Sequence, residues 1–161
     1  NLRYTHDIGP GRFRANLEVQ TYKEQTGQAL PTSAVIESNA TIGAPKTTGE
    51  LALTYTWNKW RVRTSMEYTG AMDSNALVGN LLANGQADPT FVFAVPSYKL
   101  YHGSVEYDAE KWNATIGVRN ITDEIPPSIS FGAYNRVGNA ALYSGYDYEG
   151  RTAFMNLRYK F

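Results

Sequence analysis

Gly150-Arg-Thr-Ala-Phe-Met-Asn-Leu-Arg-Tyr-Lys-Phe161 alternates residue by residue along its length. Counting back by twos from Phe161 gives Tyr159, Leu157, Met155 and Ala153; between them lie Lys160, Arg158, Asn156, Phe154 and Thr152. Successive side chains of a strand point to opposite sides of its sheet, so one side of this segment is apolar and the other mostly polar. Its length matches the roughly 9–11 residues with which a tilted strand crosses the hydrocarbon of a bilayer.

The same period recurs upstream. Residues 1–5 read as the end of a strand, followed by the turn signal Gly9-Pro10-Gly11 within His6–Gly11. A strand is expected over residues 12–23, with Phe13, Ala15, Leu17 and Val19 on one side and Arg14, Asn16, Glu18 and Gln20 on the other. Residues 46–57 and 60–70 form a hairpin about Asn58-Lys59, and residues 97–108 and 111–121 a second about Ala109-Glu110. The last strand is residues 150–161. Between these pairs lie three long stretches, 24–45, 71–96 and 122–149. Consecutive antiparallel strands therefore place every short turn at one end and every long loop at the other, the asymmetry of outer-membrane barrels. The expected fold class is all-β, an antiparallel transmembrane barrel to which this chain contributes about six strands plus the end of a seventh.

Phe13, Trp57, Trp60, Tyr107 and Trp112 fall on the apolar side near the short turns, as do Tyr159 and Phe161, and all three tryptophans are among them. Amphipathic rings gathered at one rim fit a membrane-interface girdle facing outer-membrane lipid. Strand propensity alone would scatter them along the strands. The composition agrees. With 15 basic and 15 acidic side chains there is no electrostatic footprint for nucleic acid, and with no Cys there is no disulfide framework. No apolar run reaches the length of a membrane helix, which leaves a barrel open because its strands hide only alternate positions.

No catalytic constellation stands out, and neither a cofactor nor a metal site is expected. The two histidines, His6 in a turn and His102 on the polar side beside Ser104 and Glu106, read as hydrated polar groups, since no second His or Cys stands at ligand spacing. Asp123-Glu124 reads as a solvated loop start before Pro126-Pro127. Three Asn-x-Thr triplets, at Asn39, Asn113 and Asn120, are discounted because two of them fall in strands. The polar side mixes charges, with Arg14, Glu18, Arg61, Arg63, Glu67, Glu106, Arg119, Arg158 and Lys160, as in a hydrated wall more than a filter for one sign of ion. Binding is expected in the loops. Tyr134, Asn135, Arg136, Asn139, Tyr143 and Tyr146, with Asp147, combine flat rings with hydrogen-bonding groups suited to a polar ligand such as a glycan or a metal chelate. The second loop is oddly apolar at residues 77–82 and 91–93, which suggests folding over the interior or contact with a partner.

Two stretches carry a family resemblance. Ile116-Gly-Val-Arg-Asn-Ile-Thr-Asp-Glu-Ile-Pro-Pro127 resembles the "G-V-x-N-L-F-D-x-x-P-P" segment in the penultimate strand of TonB-dependent outer-membrane receptors. Tyr146-Asp-Tyr-Glu-Gly-Arg-Thr-Ala-Phe154, with Phe161, resembles the "Y-D-x-x-G-R-x-x-F/Y … F" ending of the same family. The likeness covers residues 97–161, and Ile121-Thr122 departs from the family's Leu-Phe. It implies a 22-stranded barrel with a plug domain that is not in this chain, and energy-coupled uptake of a scarce nutrient such as a siderophore or glycan. The implied partners are the remaining strands and plug, the TonB energy-coupling complex, the barrel-assembly machinery and a surface lipoprotein. Met155, Leu157, Tyr159 and Phe161 match the family's assembly signal residue by residue, an edge offered for strand addition. The implied location is the outer membrane of a Gram-negative cell, short turns periplasmic and long loops extracellular. A passive substrate-specific porin and a soluble β-sandwich binding domain are the alternative readings.

Overall fold

In a computed structural model that describes residues 1–73, 94–130 and 136–160, the alternating segments pair each with its sequence neighbour into one antiparallel sheet of seven strands. They are β1 (Leu2–Ile8), β2 (Gly11–Thr21), β3 (Thr47–Trp57), β4 (Trp60–Thr69), β5 (Tyr98–Asp108), β6 (Trp112–Arg119) and β7 (Thr152–Tyr159). No helix occurs among the described residues. Because the order in the sheet is the order in the chain, the turns β1–β2, β3–β4 and β5–β6 share one end, and the three long connections share the other.

Several expected bounds shift, each for a local reason. The first strand extends to Ile8, not Thr5: His6 pairs with Phe13 and Asp7 with Arg12, so the turn shrinks to Gly9-Pro10. Gly9 takes φ +56°, which Gly accepts without steric cost. Consequently His6 lies in β1, stacked near Tyr4, and not in a turn. The second strand runs over 11–21, not 12–23. The sixth stops at Arg119, two residues short of Ile121, because Asn120 adopts φ +49° and turns out of the ladder. The seventh starts at Thr152, not Gly150, since Gly150 is at φ +79° and Arg151 is a bend. At its other end β7 closes at Tyr159. Phe161 lies outside the described residues.

Register decides which residues share a side, since partners directly opposite point the same way. The rows Leu2–Leu17–Leu51–Met66–Tyr101, Phe13–Tyr55–Val62–Val105–Ile116–Met155 and Trp57–Trp60–Tyr107–Ala114–Leu157 run across the sheet without a slip. This apolar side is open: Met155 is 71% exposed, Leu157 67% and Ile116 56%. Its lower edge is an aromatic rim. Trp60 meets Tyr107 edge-on with ring centres 4.7 Å apart, Tyr107 lies 5.3 Å from Trp112, and Trp112 pairs with Tyr159. All three tryptophans are exposed.

The opposite side is polar and cross-linked by charge. Arg61 donates to Glu106 at 2.7 Å, and Glu106 also accepts from Asn113 Nδ2 at 3.0 Å. Arg63 reaches diagonally to Glu50 at 3.2 Å. These pairs sit at partly exposed positions, where such contacts contribute roughly 0–1 kcal/mol each. Aromatic rings cover two glycines, Phe154 over Gly117 on this side and Tyr55 over Gly11 on the apolar side. Arg119 lies 5.8 Å from the Phe154 ring centre.

The buried apolar cluster sits neither within the sheet nor between two sheets. It lies at the long-loop end, where Ile42 of the first long connection, Met72 and Val95 of the second, and Ile129, Ala141 and Tyr146 of the third pack on Tyr98 and Leu100 of β5. Tyr98 and Leu100 pair with Thr69 and Glu67, on the polar side of the sheet.

Candidate functional site

The three long connections build a cap, and its foundation is where β6 ends. Asn120 is fully buried, and its φ of +49° lies in the left-handed region that Asn tolerates better than most side chains. Every polar atom of its side chain is used: Nδ2 donates to Glu124 O and to Asp147 Oδ2, both at 2.9 Å, and Oδ1 accepts from Glu124 N at 2.8 Å. Its backbone N–H donates to His102 Nδ1 at 3.2 Å. Asp147 in turn accepts from Glu149 N at 2.9 Å and Gly150 N at 3.2 Å through Oδ1. Asp123, itself at φ +57°, accepts from Arg151 N at 2.8 Å. The Tyr98 hydroxyl donates to Glu124 O at 3.0 Å. The departing and returning limbs of the third connection are thus clasped side by side above β5–β7.

Above this clasp the loops knit together. Ile42 N donates to Asp73 O at 3.1 Å and Asp73 N to Ala40 O at 2.8 Å, joining the first connection to the second. Within the third, Ala141 N donates to Pro127 O at 3.0 Å and Ile129 N to Asn139 O at 2.9 Å. The Tyr148 hydroxyl donates to Ala141 O at 2.6 Å and accepts from Tyr143 N at 3.0 Å.

The structure separates the candidate ligand residues into distinct environments. Asn139 is exposed at the tip of the hairpin of 136–137 and 140–141, and Arg136, beside it, donates to Gly138 O. Tyr146 lies in the core, its ring 4.8 Å from that of Tyr98 and 5.4 Å from that of Tyr143, and so does not face solvent. Its hydroxyl is buried without a hydrogen-bond partner among the described residues. Burial, and then the neighbouring tyrosines, push its pKa up to about 12, and burial also raises that of Tyr143. Tyr134 and Asn135 lie outside the described residues, as do 77–82 and 91–93.

Beneath the cap a concavity of about 480 Å³ opens on the polar side of the sheet, lined by Glu67, His102, Arg119, Glu149 and Phe154 among others. Mixed signs make it a site for polar groups more than for one charge. His102, expected as a polar group and not a metal ligand, lines this concavity and is hydrogen-bonded. It is partly buried, with Nδ1 accepting from Asn120 and Nε2 held 3.3 Å from Glu67 Oε1 without hydrogen-bond geometry. Asp123 and Glu124 are both exposed, as expected of a loop start, and are also tied into the clasp, Asp123 through its carboxylate and Glu124 through its backbone. Among the described residues no cluster of His, Cys, Asp or Glu has the arrangement to hold a metal ion.

No family model, curated protein or solved structure matches the chain. Sequence reasoning missed Asn120 and Asp147 as partners. A signal existed, since an Asn closing an alternating run and an Asp three residues before a Gly are both residues that turn the backbone.

Proposed function

We propose that this chain is wall and loop of a transmembrane β-barrel, part of a TonB-dependent outer-membrane transporter that takes up a scarce polar nutrient. One observation carries the reading: an apolar side kept in register over seven strands, open along its length and rimmed by tryptophan and tyrosine at the short-turn end. In water each Leu, Ile or Met left uncovered forgoes roughly 1.5–3 kcal/mol of burial. Hydrocarbon removes that cost, and the rings at the rim then lie at headgroup level. The ion-paired opposite side would face a hydrated interior, and the cap would stand on the extracellular side, where a ligand arrives. The two resembling stretches supply the family: their motif residues Asn120, Asp123, Asp147, Gly150 and Arg151 are the ones that meet in the clasp.

The test uses the whole protein in its native membrane. On the lipid reading, Ile116→Lys, in the middle of β6 on the apolar side, costs about 2–4 kcal/mol where the side chain meets the bilayer midplane and cuts the amount assembled, whereas Thr115→Lys, one residue away on the other side, leaves it unchanged. Equal tolerance of both would remove the membrane assignment. A protonophore that abolishes nutrient accumulation identifies an energised transporter, and accumulation that persists identifies a passive channel.

A further inference from the structure

We infer that the long-loop margin of the apolar side binds a lipid with a negatively charged phosphate headgroup, Lys99 and Arg151 holding the phosphate and the groove over Gly103 receiving an acyl chain. The inference rests on the lipid-facing reading of that side and adds a chemical preference to it.

The two rims of the apolar side differ. Aromatic rings gather at the short-turn end, whereas cations stand at the other. Among the described strand residues on this side there is no carboxylate. Lys99, opposite Tyr68, shares the side with Tyr101, and Arg151 continues the line of Met155 and Ala153 just beyond the start of β7. The polar side, by contrast, mixes signs and joins them in pairs such as Arg61 with Glu106. Both Lys99 and Arg151 are exposed. Because β6 alone separates β5 from β7, their backbones stand about 10 Å apart across the sheet, within joint reach of one headgroup.

A charge on the lipid side is costly at the bilayer midplane and costs little near the interface, so cations confined to one rim mark a headgroup level. A guanidinium grips phosphate through parallel N–H bonds, and an ammonium adds a point charge. One carboxylate does stand nearby, on the third connection. Asp123 Oδ1 accepts from Arg151 N at 2.8 Å, and Oδ2 lies 3.7 Å from Arg151 Nη2. That separation is too long for a hydrogen bond and both side chains are more than half exposed, so Asp123 steers the guanidinium without occupying its donors.

An apolar groove reaches Arg151, lined by Val62, Gly103, Val105, Ile116, Val118 and Ile121. Its depth comes from the row Thr64–Gly103–Val118–Ala153, which is smaller than the adjoining row Val62–Val105–Ile116–Met155. Ile121 walls one side, its Cδ1 3.3 Å from where a Cβ on Gly103 would stand. A trough of this kind ending at a cation is complementary to an acyl chain joined to a phosphate. An acidic protein segment would answer the charges and leave the groove uncovered.

Native mass spectrometry of the full-length protein in detergent, titrated with phosphatidylglycerol or with phosphatidylcholine of the same acyl chains, tests this. The tightest site should prefer phosphatidylglycerol, and Lys99→Gln with Arg151→Gln should weaken that binding about tenfold while leaving phosphatidylcholine unchanged. Arg158→Gln, on the polar side, should have no effect. No preference in the wild type, no loss in the double variant, or an equal loss with Arg158→Gln each overturns the inference. If Ile116→Lys still blocks assembly in those cases, the lipid-facing reading survives and this inference alone falls. If Ile116→Lys assembles normally, that reading falls and takes the inference with it.

Discussion

Tyr146→Phe should tighten the cap. The Tyr146 ring packs edge-on against Tyr98 and Tyr143, contacts that phenylalanine keeps, while its hydroxyl is buried with no hydrogen-bond partner among the described residues. An unsatisfied buried donor costs about 1–3 kcal/mol, and the folded loops bear that cost while locally unfolded loops, where water reaches the oxygen, do not. Removing the hydroxyl therefore favours the folded form by about 1–2 kcal/mol, which is a factor of 5–30 in the folded-to-unfolded ratio. In an Ala141→Cys background, under conditions where reclosing outpaces labelling, the thiol should react 5–30 times more slowly once Tyr146→Phe is added. Faster labelling would refute the reasoning, because it would mean that the hydroxyl contributes a bond to the folded state.

Alkaline pH should loosen the same cap. Tyr146 holds its proton up to about 12 when buried, against about 10 once the loops unfold, so the folded loops are fully supported below pH 10 and weaken as pH climbs from there towards 12. Tyr143 shifts in the same direction, so labelling at Ala141→Cys should accelerate above pH 10, and Tyr146→Phe should blunt but not abolish the rise. In the sheet, Gly117→Ala places a methyl 2.5 Å from the Phe154 ring and 2.8 Å from Gly103 O. Overpacking of this kind costs about 1–3 kcal/mol, read as a lowered denaturation midpoint. Adding Phe154→Ala should restore only part of the loss, because the Gly103 carbonyl is backbone and cannot swing aside. Full restoration would show that the ring was the sole obstacle.

What could be read from the residues was whatever has a period of two. Leu51, Leu53, Tyr55 and Trp57, answered by Trp60, Val62, Thr64 and Met66, leave one register for their hairpin, because a slip of one residue would turn every apolar side chain to the polar side. Strand ends were less legible. Asn120 and Gly150 leave the ladder through positive φ, a backbone choice that alternation does not encode. The cap was less legible still. Ile42 and Ile129 are isolated apolar residues in polar connections, and only the folded sheet brings them, with Met72, onto Tyr98 and Leu100. Tyr146 was misread as a ligand-facing group for that reason: a tyrosine in a loop looks exposed until the loop is seen to have a core.

The direction of the outermost strands limits what can complete this sheet. β1 runs towards the short-turn end into Gly9-Pro10, and β7 runs towards the same end, where Tyr159 pairs with Trp112. Joining the two edges, within one chain or between copies arranged head to tail, would create a parallel seam in an otherwise antiparallel wall. Pairing β1 with β1 of a second copy about a twofold axis would be antiparallel, but it would set the long loops of one copy beside the short turns of the other and put one aromatic rim at each end. A closed antiparallel barrel with all short turns on one side must therefore add an odd number of strands, and the first and last of these must run opposite to β1 and β7. An odd number added to seven is even, as in bacterial single-chain barrels, and it leaves no edge to be satisfied by hydrocarbon, which has no hydrogen bonds to offer.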